Sequence, residues 1–184
     1  MKKLIGELMN YLPSAIGDRN VFTELVEVAG SAPEGCIVEV GVYKGGSASY
    51  LTELAEKQGR QIFLYDTFTG IPFQSEYDKH AVGDFNDTSY EAVKAALPYA
   101  TVTQGLFPAS AIPMPKIAFA HIDVDQYQSY LDCIRFLSPI MVSGGVMWFD
   151  DYELDGGKKA VDELIGEAKL IAAKCGHKKK YTIF

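Results

Sequence analysis

Two pairs of carboxylates, each closing an apolar run, carry most of the chemistry this chain can offer. Ile117-Ala118-Phe119-Ala120-His121-Ile122 leads into Asp123-Val124-Asp125, and Val146-Met147-Trp148-Phe149 leads into Asp150-Asp151. Runs that are apolar at nearly every position and bounded by turn signals predict short strands buried on both faces of a parallel sheet. If the two strands are neighbours, up to four carboxylates gather at the carboxyl edge, where open α/β sheets bind ligands. Crowded like charges raise one another's pKa until a cation joins them. A hard divalent ion, which prefers oxygen ligands, would answer that need, and so would a positively charged substrate.

A second constellation lies upstream. Cys36-Ile37-Val38-Glu39-Val40-Gly41 runs into Val42-Tyr43-Lys44-Gly45-Gly46-Ser47 and then a helical pattern. Glycines let such a turn approach a ligand closely, and the helix start supplies N–H groups without partners. The spacing is Gly-x-x-x-Gly-Gly, not the Gly-x-Gly-x-x-Gly of a dinucleotide site. Glu39 beside the turn repels a pyrophosphate and welcomes a cation. Gln61-Ile62-Phe63-Leu64-Tyr65 ends at Asp66, where an acid can accept hydrogen bonds from a ribose diol. Together these features describe a nucleoside carrying positive charge. S-adenosylmethionine, with its sulfonium and ammonium, fits better than NAD.

The elements that must position these groups follow from periodicity. Helices are predicted at 2–12 and 18–29, the second carrying Val21, Leu25, Val26 and Val28, before Ser31-Ala32-Pro33-Glu34-Gly35 breaks the chain. Strands at 36–41, 61–66, 100–104, 117–122 and 144–149 then alternate with helices at 46–57, 88–97, 127–137 and 156–167. Segments 169–174 and 180–184 close the chain as an antiparallel hairpin. This pattern predicts a single α/β, Rossmann-like domain over residues 1–184, with N-terminal helices within 1–33 and a core over 34–184. Its sheet is mostly parallel and seven-stranded, with helices on both faces. Segment 67–87 has neither period but is rich in aromatics, which predicts a functional lid.

Composition narrows the partners. The 184 residues suffice for one full core, and a net charge of −7 argues against nucleic acid. Lys178-Lys179-Lys180 reads as a solvated turn. The three cysteines lack metal-ligand spacing, Cys36 and Cys133 look like small buried hydrophobes, and a reducing, cytoplasmic setting follows. No apolar run reaches the length of a membrane span, and the N-terminal pattern is that of an amphipathic helix with no signal-peptide cleavage site.

Five segments in order resemble the macrocin O-methyltransferase family of class I methyltransferases. They are Glu39–Ala48, Asp66-Thr-Phe-Thr-Gly-Ile-Pro72, Gly105-Leu-Phe-Pro108, Ile122-Asp-Val-Asp-Gln-Tyr-Gln-Ser129 and Ser143-Gly-Gly-Val-Met-Trp-Phe-Asp-Asp-Tyr152. The resemblance implies methylation of a hydroxyl on a sugar or similar small molecule, using S-adenosylmethionine and Mg²⁺. By position it implies cofactor contacts from Glu39, Gly41, Tyr43, Gly45, Ser47, Asp66, Thr67, Phe107 and Asp123. It also implies metal ligation by Asp123, Asp150 and Asp151, and makes Asp125, beside a catalytic Asp123, a candidate base or an outer-shell ligand. His121, Val124 and Gln128 stand where the family motif carries arginine, glycine and glutamate, which bears on the substrate. The stretch ahead of the core is short and suits a monomer or a simple homodimer.

Blander roles compete for several of these residues. His121 is expected to be a packed, hydrogen-bonded histidine and His177 to be solvated; His80, in the lid, could approach the substrate, but no other feature of the sequence supports that role. Asp155 is the better placed N-cap for the following helix, which leaves Asp150-Asp151 for a metal. Alternation along a strand puts Asp123 and Asp125 on one side. Replacing both Asp150 and Asp151 by alanine is expected to abolish Mg²⁺-dependent turnover with the fold intact. Gln126 occupies the position of a lysine base in catechol-type relatives, which favours a sugar or polyol acceptor. An Asp-x-Asp phosphohydrolase and a non-catalytic nucleoside-binding module are the alternatives.

Overall fold

The protein's structure, a computed structural model, describes residues 19–175 and 179–184. The helix expected at 2–12 and the turn at His177 lie outside the described residues. The described residues begin with α1 (Arg19–Ser31), whose Val21, Phe22, Leu25 and Ala29 form a buried stripe at helical spacing. It ends ahead of Pro33, which cannot continue a helix. Then come β1 (Cys36–Val40), α2 (Gly46–Gln58), β2 (Ile62–Asp66), α3 (Tyr90–Ala96), β3 (Thr101–Gln104), β4 (Ile117–Ile122) and α4 (Tyr127–Leu137). The chain finishes with β5 (Met141–Phe149), α5 (Asp155–Leu164), β6 (Ile171–Ala172) and β7 (Lys180–Ile183).

These strands form one seven-stranded sheet in the order β3-β2-β1-β4-β5-β7-β6. β1 to β5 pair in parallel, and β7 runs antiparallel to both β5 and β6. The expected mostly parallel sheet with a C-terminal hairpin is therefore the one observed, with shorter hairpin arms. β1 and β4 are buried at every position, as their mostly apolar runs predict, with Glu39 and His121 the polar exceptions. Alternate residues serve two cores. Val38, Val40, Ala120 and Ile122 pack with Tyr130, Leu131 and Ile134 of α4, and with Ala160 and Val161 of α5. Ile37, Phe119 and Trp148 pack on the opposite face with Leu25 of α1 and Leu51 of α2.

Two boundaries differ from expectation in ways that matter. β5 begins at Met141, because Gly144-Gly145 is no turn but lies within the strand, where the pairing with β4 slips between Ile117 and Phe119. Gly144 sits at φ 79, and a Cβ on Gly145 would lie 2.9 Å from the Val142 carbonyl oxygen. Leu154, not Asp155, is the N-cap of α5, and Asp155 stands in its first turn. Residues 67–87 contain no helix or strand and fold across the carboxyl edge of the sheet.

Candidate active site

Strand order reverses between β1 and β4, and at such a switch point the connections leave a crevice at the carboxyl edge. A cavity of about 630 Å³ opens there, within the range of small-molecule sites. Gly41, Tyr43, Ser47, Asp66, Thr67 and Phe107 line one side of it, and Asp123, Asp125, Asp150 and Asp151 line the other. The adjacency of β4 and β5 thus brings all four predicted aspartates to one opening.

Beneath the cavity runs a buried polar row. Glu39 pairs in register with His121, which pairs with Trp148, so the three side chains share a face. Glu39 is fully buried; its Oε1 accepts from the Ser47 hydroxyl and lies 3.0 Å from His121 Nδ1. His121 Nε2 lies 3.3 Å from Asp150 Oδ1, to which Trp148 Nε1 also donates at 3.4 Å. Lys179 completes the row. Its ammonium donates to Asp150 Oδ2 and, at 2.9 Å, to the Asp150 carbonyl. Burial alone would lower the His121 pKa, but hydrogen bonds to Asp150 and Glu39 outweigh it and raise it to about 10. Burial pushes Asp150 up, yet His121 and Lys179 overrule it and hold the carboxyl at about 2.

The other three aspartates have less help, and burial and their neighbours' charges prevail. The Asp123 carboxylate has no hydrogen bond among the described residues, and burial plus the charges of Asp150 and Asp151 push its pKa well above the usual range. Asp125 rises to about 8 through burial and the same two neighbours, and Asp151 to about 6 through burial and Asp150. Asp151 Oδ2 accepts from the Asp125 N–H at 2.8 Å and lies 3.2 Å from the Tyr130 hydroxyl. β4 stops at Ile122, and Asp125 adopts φ 57, a left-handed conformation that aspartate tolerates better than most residues. The strand alternation invoked for Asp123 and Asp125 therefore does not apply. Their proximity comes from a turn. One ligand atom from each of His121, Asp123 and Asp150 lies within 4.8 Å of the others, in a geometry a metal ion could use.

The first turn is held from below by Asp66. Its Oδ2 accepts from the N–H groups of Val42 (2.7 Å) and Tyr43 (2.8 Å), and its Oδ1 from Phe68 (2.7 Å). Gly41, at φ 91, packs so closely on β4 that a Cβ would sit 1.7 Å from the Asp123 carbonyl oxygen. The glycine thus serves the exit of β4 as well as the cavity. Tyr43, at φ 51, donates to Asp87 at 2.6 Å. Thr67 donates to the Gly70 carbonyl at 2.8 Å, and the Phe107 ring packs 5.0 Å from that of Tyr65. Two expected cofactor residues stand back from the opening. Glu39 lies behind Ser47, and Gly45 is the left-handed N-cap of α2 at φ 84. Neither lines the cavity.

Segment 67–87 is pinned over the aspartates. Asp78 Oδ1 accepts from the Tyr127 N–H at 2.7 Å, and Gln126 Nε2 donates to the His80 carbonyl at 3.0 Å. A Cβ on Gly156 would lie 2.3 Å from that Asp78 oxygen, so α5 must start with a bare backbone there. His80, for which the sequence offers no support beyond its place in the lid, stands at the site with Nε2 3.6 Å from Asp125 Oδ1. His121 is packed and hydrogen-bonded as expected. Lys179 is the correction: its side chain is 11% exposed and ion-paired, so it does not belong to a solvated turn. The missed signal was register. Lys180 pairs with Phe149 across β5 and β7, so the preceding residue must stand beside Asp150.

With that geometry in hand, similarity to known proteins can be weighed. Residues 16–175 match the family described as macrocin-O-methyltransferase (TylF). The chain belongs to this family. A relative from Streptomyces olivaceus, 8-demethyl-8-(2,3-dimethoxy-alpha-L-rhamnosyl)-tetracenomycin-C 4'-O-methyltransferase, is 27% identical over 153 residues. That match covers 72% of this chain and 58% of the relative, so the chain spans little more than half of the relative's length. Among solved structures, the O-methyltransferase NovP superimposes with a TM-score of 0.75 at 21% identity, covering 89% of this chain and 79% of its own. The calicheamicin methyltransferase CalS11 gives 0.74 at 18% identity, covering 100% and 92%. Both share the fold of this macrocin-O-methyltransferase family member.

Proposed function

We propose that this protein is an S-adenosylmethionine-dependent O-methyltransferase acting on a hydroxyl of a sugar or another small polyhydroxylated molecule, with Mg²⁺ at Asp123, Asp150 and Asp151. The observation that carries the proposal is the charge imbalance of one cavity. Asp123, Asp125, Asp150 and Asp151 crowd its opening with Glu39 behind them, the bonds of His121 and Lys179 go to Asp150 among these four, and the other three carboxyls are pushed up in pKa. A cationic cofactor and a divalent ion are the partners that relieve it. Family membership and the rhamnosyl 4'-O-methyltransferase relative support the reaction class and the acceptor.

The residues present fit both groups. Asp66 has about four acceptor positions and spends three on backbone N–H groups, leaving one for a ribose hydroxyl. No side chain caps α2, and its first residues, Gly46 and Ser47, line the cavity, which suits the carboxylate end of the cofactor. Gly41, Tyr43, Thr67 and Phe107 shape the same wall, with Glu39 and Gly45 behind it. For Mg²⁺ the donors are oxygens: the unbonded carboxylate of Asp123, Oδ1 of Asp151, which makes no hydrogen bond, and Asp150.

When bound, the cofactor supplies the methyl electrophile and Mg²⁺ a Lewis acid that makes a neighbouring hydroxyl acidic. Asp125, raised to about 8 without metal by burial and the charges of Asp151 and Asp150, would be lowered by a cation among them and so be ready to accept the hydroxyl proton as a general base. Segment 67–87 acts as the lid, excluding water and presenting His80 and Phe85 to the acceptor. No described helix is long and apolar enough to cross a membrane.

The test is methyl transfer from S-adenosylmethionine to rhamnosides bearing vicinal diols, followed by mass spectrometry with Mg²⁺ or with EDTA. Product is expected only with Mg²⁺. Calorimetry showing no cofactor binding would overturn the proposal, while binding without transfer would leave a non-catalytic nucleoside module.

A further inference from the structure

Asp150 is a proposed metal ligand whose two carboxylate oxygens are already taken. His121 and Trp148 hold Oδ1, and the Lys179 ammonium holds Oδ2. We propose that Lys179 is a built-in rival of the divalent ion, neutralising Asp150 in the metal-free protein and leaving it when the metal binds. This inference rests on the metal site proposed above. Register keeps the lysine at hand: Lys180 pairs with Phe149, one residue before Asp150. Alternation sends Lys180 the other way, with its ammonium 4.6 Å over the Tyr152 ring, so it cannot substitute. The attraction is not confined to one partner, because Asp123 and Asp151 also act on the Lys179 charge.

The chemistry of lysine suits a displaceable counter-ion. Its ammonium is a compact charge on a flexible stem, strongly hydrated once released. Lys179 contacts the carbonyl and one oxygen of Asp150, with 11% of its side chain exposed, so a short swing brings it to water. While it stays, the metal-competent state is only a fraction of the population, and apparent metal affinity falls by that fraction. The protein keeps its acidic edge folded without metal, at the cost of weaker binding.

Calorimetric titration of the full chain with Mn²⁺, and its melting temperature in EDTA and in Mg²⁺, test this without reference to turnover. Lys179→Met should bind Mn²⁺ about tenfold tighter than the unaltered protein, melt lower in EDTA and gain more from Mg²⁺. Lys179→Arg, which keeps the charge, should stay within about threefold of the unaltered affinity. Equal or weaker binding by Lys179→Met overturns the proposal while leaving the metal site standing. No Mn²⁺ binding by either protein overturns the metal site itself, and the competition with it. Should Lys179→Met not fold, the unaltered protein suffices: saturating Mg²⁺ should speed acylation of Lys179 by an amine reagent, read by mass spectrometry. An unchanged or slower rate rejects displacement.

Discussion

The two sides of the cavity are built on opposite electrostatic plans. On the β1–β2 side most acceptor positions are taken: Asp66 latches the first turn through three backbone N–H groups, and Glu39 Oε1 is shared by Ser47 and His121, while its buried Oε2 has no partner among the described residues. On the β4–β5 side Asp123 has no hydrogen-bond partner among the described residues, Asp125 is pushed up in pKa by burial and the charges of Asp151 and Asp150, and Asp151 by burial and Asp150. The first side is a finished holder, stable before any ligand arrives. The second is unfinished until a cation joins it. Isosteric changes on the two sides should therefore separate activity from stability.

Asp123→Asn should have the largest effect and the cleanest one. Removing a metal-binding carboxylate forfeits several kcal/mol of catalysis, about a thousandfold in kcat/KM. Stability should hold or rise, because the change removes a carboxyl whose charged form is disfavoured by burial and by Asp150 and Asp151 and which has no hydrogen bond among the described residues, while the new amide N–H₂ faces those carboxylates as acceptors. Methyl-transfer rates and a thermal melt on the same preparation check both halves; a fall in melting temperature would place Asp123 among the structural groups. The Asp150 and Asp151 double alanine does not do this job. It strips His121 and Lys179 of a partner and the Asp125 N–H of its acceptor, so the intact fold expected from sequence alone is not to be expected from these bonds.

Asp66→Ala is the counterpart on the finished side, with a smaller effect of opposite balance. Three N–H groups lose their acceptor, and buried unsatisfied donors cost about 1–3 kcal/mol. For a chain of this length each kcal/mol lowers the melting temperature by about 2–4 °C. Calorimetry with S-adenosylhomocysteine should show weakened binding in the same variant. If binding weakens with no loss of stability, Asp66 is a ligand contact first and a latch second.

How far this division was legible beforehand depended on what sets each feature. The strands came from mostly apolar runs such as Ile117–Ile122, and their adjacency from βαβ connectivity, so the gathering of four aspartates followed from local pattern. The glycine turn and Asp66 were readable as residue types at strand ends, but not their bonds. That Asp66 spends three acceptor positions on its own backbone depends on the turn's path, which Tyr43 enters at φ 51. Lys179 was hidden because antiparallel register between β5 and β7 is a long-range fact, and three consecutive lysines look alike in sequence. Asp125 was misplaced for a different reason: a left-handed residue breaks strand alternation without leaving a glycine to announce it.

The smallest effect tests the unfinished side through protons. Asp125 at about 8 and Asp151 at about 6 both lie above the ordinary aspartate value of 3.8. Between those values the folded state binds more protons than the unfolded one, so this contribution to stability is full at low pH and lost as pH rises. His121, raised from 6.5 to about 10, has the same sign over a higher window. Asp150, held at about 2, has the opposite sign, but only below its ordinary value. The melting temperature in EDTA should therefore fall steadily from about pH 5 to about pH 8. Saturating Mg²⁺ should flatten the slope, because a cation among the carboxylates pulls their raised pKa values back down. Asp125→Asn should flatten part of it without metal. A melting temperature that stays level or climbs across that range in EDTA would mean the acidic edge is already balanced, and the contrast between the two sides of the cavity would be lost.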